Sequence, residues 1–203
     1  MTHDHERWLT VETPVGEARA VFSGDGPGLV ALGHGAGGGV GSADLVALSG
    51  ALVRAGWTVA RVEQPYRVQG RRAPDRAPKL DIAWIAVMTA LTAGRSGPLL
   101  VGGRSSGARV ACRTAADVGA AGVICLAFPL HPPGRPDSSR AEELGCVGDL
   151  PLLVVQGDRD AFGGPSEFPS GVEVVGVPGD HSLRKPAPVV DAVLAWLGRQ
   201  ALT

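Results

Sequence analysis

The chain has 203 residues, enough for one domain with a sizeable buried core. Hydrophobic residues make up 44% and charged residues 19%, the balance of a globular protein rather than a disordered one. A formal net charge of −1 argues against bulk nucleic-acid binding or attraction to a membrane surface, and no apolar run is long enough to span a bilayer.

Two short extended segments, at 8–12 and 18–22, open the chain, with residues 1–12 expected as a loose N-terminal segment. From there the pattern repeats as apolar strand, glycine-rich turn and helix. A strand at 28–32 runs into Gly33-His34-Gly35-Ala36-Gly37-Gly38-Gly39. A helix over 43–55 follows, with Leu45, Leu48 and Leu52 on one face and Gly56 as its stop. Strand 58–62 leads into a long basic loop, 64–79, and then a helix beginning near Asp81 as its N-cap. Strand 98–101, helix 106–116 and strands 122–127, 152–156 and 172–177 come next. A last helix spans 186–202, with Val189, Val190, Val193, Leu194 and Leu197 at helical spacing. Non-alternating apolar strands separated by helices imply a mostly parallel sheet covered on both faces, here a single α/β domain over 1–203.

The N-terminal residues lack the apolar stretch of a secretory signal. Cys112, Cys125 and Cys146, an odd number in or near apolar segments, read as free thiols in a reducing compartment, so a cytoplasmic location is expected. His3, Asp4 and His5 lie in a polar tail and read as solvated rather than as metal ligands; neither metal nor organic cofactor is expected.

Chemistry in such a sheet sits beyond the carboxyl ends of the strands. There Gly103-Arg104-Ser105-Ser106-Gly107 is a G-x-S-x-G between a predicted strand and a predicted helix, the setting of a nucleophile elbow. Two glycines permit a sharp turn that lifts Ser105 to its apex, and the Ser106 amide is then free to stabilise an oxyanion. The blander account is a glycine-rich turn whose serines cap a helix. A serine hydroxyl needs a base. His181, in Gly179-Asp180-His181-Ser182 after the last strand, is the candidate, and the acid should fall between Ser105 and His181 in chain order. Asp158 and Asp160, both after the strand 152–156, satisfy that, and residues two apart in an extended segment point to the same side, which leaves both open. The glycine-rich segment 33–39 would add a second oxyanion donor, the amide of Ala36 or Gly37. His34 reads as a turn residue. Gly33, Gly35 and Gly38 also form G-x-G-x-x-G, with Glu63 ending the next strand, so a dinucleotide-binding oxidoreductase is the competing reading. That reading leaves Ser105, the aspartates and His181 without a purpose.

Together these motifs resemble α/β-hydrolases related to dienelactone hydrolase, from about Thr13 onward. More narrowly, Gln64-Pro65-Tyr66, the run Gly70 to Asp75 and Phe128-Pro129-Leu130-His131-Pro132-Pro133-Gly134 resemble a subgroup of bacterial proteins, testis-expressed proteins and a chromatin-complex subunit of animals. The resemblance implies an α/β-hydrolase fold without a large cap domain, Asp160 as the acid because it closes a G-x-x-D turn, and no cofactor. Where dienelactone hydrolase has a cysteine nucleophile this chain has Ser105, which separates it from that reaction. Some animal relatives act as scaffolds, so a non-catalytic interaction module is the second alternative. The expected activity is acyl transfer from a small-molecule ester or thioester to water, with no nucleic-acid or membrane partner. Arg71 and Arg72 in the basic loop, Arg104 beside the serine, His34 and His131 are candidate pocket residues, with a solvated loop the plainer account of the first two.

Overall fold

Short apolar runs rich in Val, Leu and Ala pair into one sheet because they cannot leave either face in water. The computed structural model describes residues 6–200. It contains eight strands: β1 (Arg7–Thr13), β2 (Gly16–Ser23), β3 (Leu29–Gly33), β4 (Thr58–Glu63), β5 (Leu99–Arg104), β6 (Gly122–Leu126), β7 (Leu152–Gly157) and β8 (Glu173–Val177). Their order across the sheet is β1-β2-β4-β3-β5-β6-β7-β8. Strands β3 to β8 are mutually parallel, and β1 and β2 add an antiparallel edge.

Strand periodicity sorts the core into two layers. Val30 and Leu32 of β3 and Ile124 and Leu126 of β6 face α1 (Ala43–Arg54) and the C-terminal helix (Pro186–Leu197), meeting Leu45, Leu48, Leu52, Val189, Val193 and Trp196. The alternate residues Leu29, Ala31, Val123 and Cys125 face the other way, toward a helix over Ala77–Thr92 and another over Ser106–Thr114, meeting Trp84, Val87, Met88, Val110 and Ala111. Each fully buried Leu, Val or Met contributes roughly 1.5–3 kcal/mol relative to exposure. Among the described residues no helix is long and apolar enough to cross a membrane.

Several boundaries differ from the sequence reading. Residues 7–12 are not loose: they belong to β1, paired with β2 along its whole length from Arg7 opposite Phe22 to Thr13 opposite Gly16. Asp81 caps no helix. Its helix starts four residues earlier, with a proline in the first turn, and the Asp81 carboxylate instead accepts from Nε and Nη2 of Arg113. Two four- and five-residue helices, α2 (Pro65–Val68) and α5 (Ala141–Gly145), went unpredicted because one turn is too short to show a period. Counting them, the remaining helices are α3 (Ala77–Thr92), α4 (Ser106–Thr114) and α6 (Pro186–Leu197). Helix α6 stops at Leu197, where Gly198 follows, rather than reaching Leu202, which lies outside the described residues, as do His3, Asp4 and His5.

Candidate active site

The loops after β3, β5, β7 and β8 meet at one end of the sheet. At the end of β5 the chain reverses into α4 with Ser105 at φ +52°, ψ −109°, a conformation that costs a non-glycine residue about 1–3 kcal/mol. The surroundings impose it. The Ser105 amide donates to Leu126 O at 2.9 Å, tying the turn to β6. Gly103 and Gly107 press on Gly33: a Cβ at either position would stand 2.3 or 2.4 Å from Gly33 O. Any side chain there would push the elbow off β3, so the two glycines are steric requirements.

His181, on the loop after β8, reaches over the elbow. Its Nε2 lies 2.9 Å from Ser105 Oγ and its Nδ1 2.8 Å from Asp160 Oδ2. A carboxylate only accepts, so Nδ1 carries the proton, and Nε2 is free to accept from the serine hydroxyl. The Asp160 side chain is wholly buried, and every contact it makes holds it as an acceptor. Phe162 N–H donates to Oδ1 at 2.8 Å and the Gln156 amide donates to Oδ2 at 2.9 Å. The same Gln156 nitrogen also reaches Phe128 O and Gly163 O, at 3.2 and 2.8 Å. The Phe162 ring covers the His181 ring with centroids 4.3 Å apart and 32° between planes. Asp158 is elsewhere: it is exposed and accepts from the Gly179 amide at 2.9 Å, closing the base of the histidine loop.

The glycine-rich loop after β3 runs beside the serine, for a Cβ on Gly35 would stand 3.6 Å from Ser105 Cβ. The carbonyl of Gly35 accepts from His34 Nδ1 at 2.8 Å and from Gly38 N at 3.1 Å. The carbonyl of Ala36 accepts from Tyr66 Oη at 3.0 Å. In a trans peptide the N–H points opposite to the C=O, so these bonds turn the amides of Ala36 and Gly37 away from the protein groups that hold them. The amides of Ala36, Gly37 and Ser106 donate to no other protein group among the described residues. His34 is buried and its Nε2 accepts from Gln64 N at 3.2 Å, which fixes it as the neutral Nδ1–H tautomer; burial lowers its pKa below 6.5. Burial likewise pushes the Tyr66 hydroxyl up to about 12, keeping it a donor.

The other candidate pocket residues brace the loops. Arg104 places Nη2 2.8 Å from His181 O and Nε 2.8 Å from the buried Asp44 carboxylate in the first turn of α1, so it links the elbow, the base loop and the helix after the glycine loop. His131 puts Nδ1 2.9 Å from Pro132 O and Nε2 3.1 Å from Glu167, pinning the segment after Asp160 to the loop after β6. Arg71 is bound at both ends to Asp75 and lies over the Tyr66 ring at 5.9 Å. Arg72 is exposed. Sequence reasoning missed Gln156, Phe162, Tyr66 and the Asp44 partner of Arg104. The one available signal was a glutamine ending an otherwise apolar strand.

A family model described as "Alpha/beta hydrolase domain" matches residues 27–187. No curated protein matches the chain. Among solved structures, XC6422 from Xanthomonas campestris, described as an a/b serine hydrolase without lid, is 23% identical over 96% of this chain and 94% of its own, with a TM-score of 0.78. Est1E from Butyrivibrio proteoclasticus is 15% identical over 95% and 99% of the two chains, TM-score 0.73. A dienelactone hydrolase from Anabaena variabilis is 18% identical over 96% of each, TM-score 0.71. At these identities the likeness is one of fold.

Proposed function

Since the chain belongs to the alpha/beta hydrolase domain family, we propose that it is a serine hydrolase with Ser105 as nucleophile, His181 as general base and Asp160 as the group that orients and charges against it. The observation that carries this reading is the unbroken hydrogen-bond chain from Asp160 Oδ2 through His181 to Ser105 Oγ, at 2.8 and 2.9 Å. Ser105 Oγ attacks the carbonyl carbon of an ester or thioester as His181 Nε2 takes its proton. The amides of Ser106 and Ala36 receive the negative charge on the carbonyl oxygen. Collapse breaks the bond to the alcohol or thiol, which leaves with the proton from His181. Water, deprotonated by the same nitrogen, then cleaves the acyl-enzyme to release the carboxylic acid and restore Ser105. Nothing in these steps calls for a cofactor.

The dinucleotide-binding alternative loses its footing in the glycine loop. Its helix would open at Gly38, whereas α1 begins at Ala43, and Gly35 is committed to the space beside Ser105. The narrower resemblance to the subgroup carrying Gln64-Pro65-Tyr66 gains a physical meaning here, because Gln64 and Tyr66 are the residues that fix the glycine loop. With no large cap over the site, small acyl groups on otherwise extended molecules are the substrates this reading favours. Three free cysteines suit a reducing, cytoplasmic setting.

Labelling with a fluorophosphonate probe and mapping the adduct by mass spectrometry tests the assignment. The expected result is a single adduct on Ser105, lost in Ser105→Ala and in His181→Ala, with esterase activity falling about 10⁴-fold or more in both. A folded protein that takes no adduct would instead be a binding module on a hydrolase fold.

A further inference from the structure

A cavity of about 260 Å³ opens on the outer side of the two loops that carry Asp160 and His181. Its walls are Arg159, Pro178, Gly179, Asp180, Arg184 and Lys185. The chain turns at 158–159 and again at 181–182, so neighbouring side chains leave it in different directions. While Asp160 and His181 turn inward to the serine, their immediate neighbours Arg159 and Asp180 turn outward and line this cavity.

The charges there are out of balance. Arg109 and Arg113, on the helix behind the elbow, are each paired with carboxylates. Arg159, Arg184 and Lys185 have no carboxylate within ion-pair distance among the described residues. The one acid in the wall, Asp180, accepts from the Ser182 amide at 2.9 Å and from the Ser182 hydroxyl, to which the Arg184 Nε also donates at 3.2 Å; its carboxylate offsets one of the three charges and leaves two in excess. Two positive charges in excess around one concavity repel each other unless a further anion joins them, and a concave wall concentrates their field. Two guanidiniums offer planar donor pairs that match phosphate oxygens. The volume falls just short of the roughly 300–1,000 Å³ typical of whole small-molecule sites, so it suits one appended group rather than a complete substrate.

We infer that this cavity binds the phosphate of a substrate whose scissile ester or thioester sits at Ser105, so that the preferred substrates are acyl groups carried on a phosphorylated arm. The inference names the substrate class of the proposed hydrolase and rests on that reading. The arm would run over the exposed edge of His181, which follows the cavity-lining Asp180 in the chain and whose side chain retains 23% of its accessibility. The phosphate is not a reactant; it anchors the leaving group and lowers KM for the substrate that carries it.

Two measurements test this separately. Titration calorimetry with inorganic pyrophosphate on the full chain should show one site, weakened at least about tenfold in Arg159→Ala/Arg184→Ala/Lys185→Ala and progressively by added salt. Kinetics with S-acetyl-4′-phosphopantetheine against S-acetyl-pantetheine, which differ by one phosphate, should give a kcat/KM ratio of about five or more. That ratio should collapse toward one in the triple variant, through KM rather than kcat. Pyrophosphate binding no tighter in the wild type than in the triple variant overturns the site. Binding with a ratio near one in the wild type overturns its role in substrate choice. Pyrophosphate binding without turnover of either thioester and without a fluorophosphonate adduct on Ser105 sinks the hydrolase reading while leaving the anion site standing. Because the three residues are exposed and lie outside the core, the variant's far-ultraviolet circular dichroism and thermal midpoint should match the wild type.

Discussion

Two loops flank Ser105, and they are held in different ways. The acid-bearing loop, 157–168, is held through its carboxylates, with the Phe162 and Gly163 carbonyls in support: Gln156 and the Phe162 amide fix Asp160, and His131 grips Glu167. The glycine-rich loop, 33–41, is bound through its carbonyls, by His34, Tyr66 and its own Gly38 amide, while Gly37, Gly39 and Gly41 have open space where a Cβ would stand. The contrast follows from what each must offer. A buried carboxylate that stays charged needs donors from several directions. An oxyanion donor must keep its N–H free, so the peptide can be anchored only by its C=O.

The sharpest way to break the first loop is Gln156→Leu. The substitution removes a donor from Asp160 and strands the buried Gly163 carbonyl, while Phe128 O keeps the Leu130 amide. A hydrogen bond to a charged group is worth about 1.5–3 kcal/mol, so kcat/KM should fall roughly tenfold to a hundredfold. The unfolding free energy should drop by about 2 kcal/mol or more in urea titrations. Gln156→Glu keeps the shape but puts a second carboxylate against Asp160, and it should lose more activity than Leu. Wild-type kinetics in either variant would mean that Asp160 is positioned by His181 and the Phe162 amide alone.

Acid and base should separate the two loops, because each rests on a histidine shifted in the opposite direction. Burial lowers His34, so below pH 6.5 the unfolded chain takes up a proton that the folded chain refuses. The stability His34 contributes is therefore present above 6.5 and lost progressively as pH falls from there through the lowered folded value. His131 is raised, by the Pro132 carbonyl first and then by Glu167, so its contribution is complete below 6.5 and lost as pH rises through the raised value. Unfolding midpoints measured from roughly pH 5 to 8 should show a shallower acid limb in His34→Asn and a shallower alkaline limb in His131→Asn. Parallel limbs in all three proteins would show that neither histidine couples its loop to protons.

The same asymmetry explains what was legible in the sequence. The α/β architecture could be read because apolar strands and leucine-spaced helices carry their periods locally. The serine, histidine and aspartates could be read because each follows a strand and two glycines permit the turn at Ser105. The bracing residues could not. Tyr66 sits in a single helical turn 30 residues from its Ala36 acceptor, and Arg104 finds Asp44 only once β3 and β5 lie side by side. Glu167, on an exposed turn, has no local sign that it closes on His131. Helix α3 starts at Ala77 rather than at Asp81 because Asp81 pairs with Arg113 of α4, a tertiary contact that outweighs the capping preference of an aspartate.

The gentlest probe of the glycine loop is Tyr66→Phe. It keeps the buried ring and deletes only the hydroxyl that donates to Ala36 O. The lost bond is worth about 1 kcal/mol, and the Ala36 carbonyl regains part of that from water, being only half-buried. Freed to rotate, the Ala36–Gly37 peptide would spend less time with its N–H turned toward the oxyanion, a loss felt only in the transition state. We therefore expect kcat to fall about threefold to fivefold with KM nearly unchanged, and the fluorophosphonate reaction at Ser105 to slow by a similar factor. A rise in KM at constant kcat would instead place the Tyr66 hydroxyl in ground-state substrate binding and leave the glycine loop held by His34, Arg61 and its own Gly38 amide.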